Sequence, residues 1–202
     1  MRTSIIKAYS LSTFILLFMA SFVPGGDQQK VKDYLHIPGP VEFNKIKYDL
    51  SWSSHPSATY YKQEYVPAGQ TVEKFTKMIM IEAVTGDFVL QNLVKAKTAE
   101  LDQRKSADAV TNYQVIENKA TGEYLLDFVI SAPGANNTTI VEWNAYRYRK
   151  LNEKSGKKGI MLFAYSRRAY GSATTKFLEE LKKERTADIN AIAAHSIPQV
   201  TL

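Results

Sequence analysis

Thr139–Tyr170 reads TIVEWNAYRYRK, then LNEKSGKKG, then IMLFAYSRRAY. Two β-rich runs flank a polar turn that carries Gly156 and Gly159, the signature of an antiparallel hairpin. Ile160–Tyr165 is apolar at every position, so both of its faces are covered and it lies centrally in a sheet. A turn centred near Ser155 brings Glu142 opposite Arg167 or Arg168. This register predicts that Arg168 pairs with Glu142 while Arg167 is free, and a slip of one residue would exchange them.

Working outward, Val41–Trp52 alternates with an irregularity near Asn44. It reads as one strand with Ile46, Tyr48, Leu50 and Trp52 facing the core. Ser53–Ser57 reads as its turn and Thr59–Val66 as the returning strand. Lys77–Val84 is a buried strand built on the continuous run Met78-Ile79-Met80-Ile81. Asp87 can cap a helix from about Phe88 to Lys105, whose stripe is Leu90, Leu93, Val94, Lys97 and Leu101. Val110–Asn118 and Glu123–Ser131 form a further pair of strands. The closing helix runs from about Ser172 to Ala194, with Leu178, Leu181, Ile189 and Ile192 in a stripe that Arg185 crosses. Glu179, Lys182, Lys183 and Asp188 are expected to face out. The fold class is thus α+β, an antiparallel sheet of about six to seven strands with two main helices packed on it.

The chain has 202 residues and 45% hydrophobic content, enough for one sizeable core. With no cysteine, disulfides, thiolate metal sites and cysteine nucleophiles are excluded. Arg2 and Lys7 precede an apolar run from Leu11 to Val23, and Pro24-Gly25-Gly26 ends it. That pattern reads as a signal peptide over residues 1–26, with the mature chain beginning between Phe22 and Asp27. The run is shorter than the roughly 20 apolar residues of a membrane span, so no stable span is expected after processing. The chain is read as exported, to the periplasm or beyond. Residues 27–40 read as a lead-in and 41–202 as a single domain. Removing two cations with the leader takes the formal charge from +6 to +4. So modest an excess requires no nucleic-acid partner.

The element order looks like the α/β sandwiches of the Mog1/PsbP-like group. Glu64-Tyr65-Val66-Pro67-Ala68-Gly69-Gln70 and Tyr165-Ser166-Arg167-Arg168-Ala169-Tyr170-Gly171 resemble segments of small secreted bacterial proteins of unknown function. The resemblance covers about Val41 to Ala194. It implies a fold whose members serve mostly as binding or accessory modules. A cystatin-like or nuclear-transport-factor-like cone is the competing fold.

Chemistry is sparse. His36, His55 and His195 lie in loops or near the terminus. The chain carries neither a zinc-protease helix motif nor a nucleophile elbow, and its glycines do not match phosphate-loop spacing. No cofactor and no metal are predicted. Asn136-Asn137-Thr138 and Asn137-Thr138-Thr139 match the glycosylation sequon, which matters only in a eukaryotic host.

One constellation carries binding chemistry: Tyr146, Arg147, Tyr148 and Arg149 with Tyr165, Arg167 and Tyr170. Guanidinium forks grip anions bidentately and stack on rings, so this face fits a protein partner or a small anionic or glycan ligand. The same residues also suit a structural network built on the Glu142–Arg168 ion pair. Two function classes follow: a non-catalytic exported binding module, or a small secreted hydrolase with an unrecognised site in which His55 is the first suspect.

Overall fold

The computed structural model describes residues 31–151 and 153–202. The leader read over 1–26, and residues 27–30 of the lead-in, lie outside the described residues. Eight strands follow in chain order: β1 (Val41–Phe43), β2 (Ile46–Ser57), β3 (Tyr60–Val66), β4 (Lys77–Thr85), β5 (Asn112–Asn118), β6 (Glu123–Pro133), β7 (Thr139–Lys150) and β8 (Gly159–Tyr170). Helix α1 (Leu90–Arg104) separates β4 from β5, and α2 (Ala173–Ala194) follows β8. All strands join one antiparallel sheet in the order β1-β2-β3-β4-β8-β7-β6-β5. β8 is central and buried along most of its length, as its unbroken apolar run requires. Gly159 opens that strand because a Cβ there would collide with the Val84 carbonyl oxygen.

The sheet has eight strands, not six or seven, because Val41–Trp52 is not one strand. Asn44 and Lys45 have φ of 50° and 62°. Two successive left-handed residues make a primed two-residue hairpin turn. The chain therefore reverses there, with Phe43 opposite Ile46 and Val41 opposite Tyr48. A second irregularity lies between Leu50 and Trp52. Tyr48 is fully buried and Leu50 packs beside it. Trp52 instead pairs with Glu64 on the opposite face, where the Lys62 amine stands 5.7 Å from its ring. β2 then continues through the residues read as a turn, and Ser57 pairs with Tyr60. Pro56 is tolerated because β1 no longer flanks that part of β2.

Strand alternation sorts side chains onto two faces. One carries Tyr65, Ile79, Ile81, Trp143, Met161, Phe163 and Tyr165 and packs against Phe177, Leu181 and Ile192 of α2. The other carries Met80, Leu126, Phe128, Tyr148, Leu162 and Ala164 and packs against Val94 and Leu101 of α1. α1 begins without its predicted cap. Val89 is the capping residue with no side-chain bond, and Phe88 and Val89 are exposed.

Part of the lead-in belongs to the core. Leu35 is fully buried and Ile37 is 6% exposed. The Leu35 N–H donates to Gln63 Oε1 at 2.8 Å, and the Tyr65 hydroxyl donates to the Ile37 carbonyl at 2.8 Å. The C-terminal segment returns to the same place, where the Thr201 N–H donates to the Leu35 carbonyl.

Along α2, Phe177, Leu181 and Ile192 are buried while Leu178 and Ile189 are half-buried. Leu181, 6% exposed, sits midway along that contact. Replacing it with alanine is predicted to cost about 2–5 kcal/mol. Urea melts of Leu181→Ala and parent measure it, and superimposable curves would place α2 outside the core.

Candidate functional site

The tyrosines and arginines of the central hairpin do not share one surface. Tyr146, Tyr148, Arg168 and Tyr170 lie on the α1 face, and Arg147, Arg149, Tyr165 and Arg167 on the α2 face, as the period of two dictates. Most are committed to structure. Tyr148 and Tyr165 are buried, and Tyr146 meets the Phe128 ring edge-on. Burial raises the hydroxyl pKa of all three tyrosines well above its ordinary value. The Tyr170 hydroxyl donates to the Phe75 carbonyl at 3.0 Å.

Arg147 reaches Glu123 at 2.7 Å and donates from Nη1 to the carbonyls of Ile192 and His195. It therefore satisfies carbonyl groups that the end of α2 leaves without helical partners. Arg149 stands 3.6 Å from the same Glu123.

Glu142 lies directly opposite Arg168 and accepts from its Nε at 2.6 Å. Asn144 donates to Glu142, Ser166 donates to Asn144, and the Arg168 guanidinium stacks 3.9 Å from the Phe75 ring centre. Arg167 is not free. Its guanidinium meets Asp188 at 2.8 Å and Glu184 at 2.7 Å. Burial works against its charge, and those two carboxylates more than offset this, so its pKa is raised. Asp188, expected to face out, is 9% exposed for the same reason.

The histidines are dispersed. His36 and His55 hydrogen-bond to the backbone carbonyls of Thr201 and Tyr60. His195 stacks on Phe163, and burial, with Arg147 nearby, lowers its pKa.

The feature that sequence reading missed is a cleft of about 640 Å³ between α2 and the β5–β6 hairpin. Val110, Val129, Leu178 and Leu181 give it apolar walls. Asp127, only 1% exposed, lies within it. Its carboxylate accepts the Trp143 indole N–H at 3.2 Å. It also accepts the Nε and Nη2 donors of Arg185, the latter at 2.8 Å. The same Nη2 donates to Gln114 Oε1 at 2.9 Å. Lys182, exposed and one turn earlier on α2, also lines the cleft. Two lone charges marked this site in the sequence. Asp127 interrupts the apolar strand Leu125–Ile130, and Arg185 interrupts the apolar stripe of α2. Opposite isolated charges on apolar faces are resolved by pairing when they are buried.

A protein-family model matches residues 35–197. The chain belongs to that family, an uncharacterised one. Its span begins at buried Leu35 and ends at buried Ile197, so it takes in the core portion of the lead-in as well as the sheet. No curated protein and no solved structure matches the chain. Among the described residues, no helix is long and apolar enough to cross a membrane.

The two arginines make a testable contrast. Arg167→Met strands the buried Asp188 and is predicted to cost about 3 kcal/mol. Arg168→Met is also predicted to destabilise, and its cost should shrink in a Glu142→Gln background because the stranded charge is gone. Chemical denaturation of the three single variants and the two double variants decides the matter. An Arg167→Met cost that shrank with Glu142→Gln, or an Arg168→Met cost that did not, would contradict the pairing.

Proposed function

We propose that the protein is an exported, non-catalytic binding module whose ligand is a small amphipathic anion held in the cleft beside α2. Export rests on the charged start, the Leu11–Val23 run and the Pro24-Gly25-Gly26 break. The Mog1/PsbP-like resemblance supports the modular reading, since that group serves mostly in binding or accessory roles. The arginines of the central hairpin are engaged by Glu123, Glu142, Glu184 and Asp188, whereas the cleft keeps a partly exposed guanidinium and an exposed lysine.

The single observation that carries the proposal is the divided guanidinium of Arg185. Its Nε and Nη2 donors go to Asp127 and Gln114, and its two Nη1 donors are not among those bonds. The side chain is still 36% exposed at the cleft. Asp127 is already matched by Arg185, so Lys182 leaves the lining with one surplus positive charge. A volume of about 640 Å³ falls in the range of small-molecule sites. Apolar walls beside cationic donors suit a ligand with a hydrocarbon body and one anionic head.

Trp143 forms part of the cleft, and the second tryptophan, Trp52, lies on the opposite sheet face. A Trp52→Phe variant therefore reports on the site alone. Anilinonaphthalene sulfonate is predicted to bind saturably and quench Trp143, more tightly than its neutral phenylnaphthylamine analogue. Lys182→Glu, an exposed change that leaves the melt intact, is predicted to weaken the sulfonate about tenfold and leave the neutral dye unaffected. Equal binding of the two dyes, or a sulfonate affinity indifferent to Lys182→Glu, would overturn the proposal.

A further inference from the structure

β5 closes one side of the sheet, and among the described residues no strand lies beside its outer edge. Most of its residues are exposed, including the apolar Val115 at 39% and Ile116 at 38%. Exposed edges are ordinarily blunted by shortness, proline, bulges or lysine, because their free N–H and C=O groups recruit other strands. The other sheet edge uses three of these devices. β1 is three residues long, and the free stretch of β2 carries Pro56 and register shifts. β5 uses none of the four: it is seven residues of continuous register with β6, and its one charged residue is Glu117.

Which groups face outward follows from a single bond. The Tyr113 N–H donates to Asn112 Oδ1 at 2.9 Å and so does not join the β6 ladder. Antiparallel ladders alternate, so the N–H and C=O groups of Tyr113, Val115 and Glu117 point away from the sheet. We propose that this edge pairs with the same edge of a second copy, antiparallel and centred on Val115. In that register Val115 meets Val115, and Tyr113 meets Glu117 twice. All three outward residues of each copy then enter hydrogen-bonded pairs, at the cost of the short bond between Asn112 and Tyr113.

The side chains agree with the register. Glu117 of the second copy comes beside Tyr113, where the Lys105 amine stands 4.3 Å from the ring centre and already meets Asp102. The two Glu117 carboxylates are kept apart, so the strand does not repel itself. On the opposite face, Ile116 of each copy falls beside Gln114 of the other, at a residue that lines the cleft. An unrelated extended peptide would gain the backbone bonds but not this reciprocal match. The pairing does not depend on what the cleft binds.

The chain from Val31 onward, one compact unit, is suited to the test. Analytical ultracentrifugation across a dilution series is expected to show a reversible dimer. Val115→Lys sets two cations against each other, and Val115→Pro removes an outward N–H that folding does not use. Both are predicted to be monomeric, with the lysine variant melting like the parent. In a chain free of cysteine, Val115→Cys is predicted to form a disulfide-linked dimer on mild oxidation, since hydrogen-bonded cross-strand pairs have Cα atoms about 5.5 Å apart. A parent that stays monomeric at millimolar concentration would overturn the proposal. So would a dimer that Val115→Lys leaves intact.

Discussion

Arg185 of α2 reaches down to Asp127 on β6, and one turn later Asp188 of α2 reaches down to Arg167 on β8. Strand β7 runs between those two anchors and carries Trp143. The pairs have opposite polarity: the helix supplies the cation at one and the anion at the other. Desolvating a charge costs several kcal/mol unless a partner and further hydrogen bonds meet it. Each buried member therefore accepts one placement of the helix. Sliding or rotating α2 would leave Asp127 and Arg167 without counter-charges on the sheet. Glu184 on Arg167 and the Trp143 indole on Asp127 complete the two sites. The apolar contacts of Phe177, Leu181 and Ile192 bind the helix to the sheet; the charges fix where it sits.

That placement creates the cleft. Beside Asp127, Asn112, Gln114 and Val129 of the β5–β6 hairpin line the cleft together with Leu178 and Lys182 of α2. Arg185 serves twice, as an anchor for α2 and as a polar wall of the cleft. On the other side of the sheet, the Glu142–Arg168 pair and its Asn144–Ser166 neighbours do no such double duty. Arg168 lies against Phe75, and the network joins two central strands.

Much of this architecture was legible in the sequence. The apolar run Ile160–Tyr165 located the central strand, and a turn centred on Ser155 set the register that puts Glu142 opposite Arg168. Local signals failed where backbone conformation, not side-chain pattern, decided the outcome. The alternation near Asn44 reads as a disturbed strand because nothing in hydropathy distinguishes a bulge from a two-residue reversal. The period of two also separates Tyr146 and Tyr148 from Arg147 and Arg149 in the sequence itself, so a single tyrosine–arginine surface was inconsistent with the strand that holds it. Asp188 looked solvated because its partner lies on a strand that the sequence cannot bring next to the helix. The cleft was hidden for the same reason. Asp127 and Arg185 each stood out as a lone charge on an apolar face, and only the packing of α2 against β6 joins them.

The placement of α2 depends on the coupling between Asp127 and Arg185, and a double-mutant cycle in urea measures it directly. Arg185→Met alone leaves a buried carboxylate without its cation and is predicted to cost about 3 kcal/mol. In an Asp127→Asn background the same change is predicted to cost far less, a coupling of about 2 kcal/mol. Additive effects of the two substitutions would mean that the pair does not hold α2 in place.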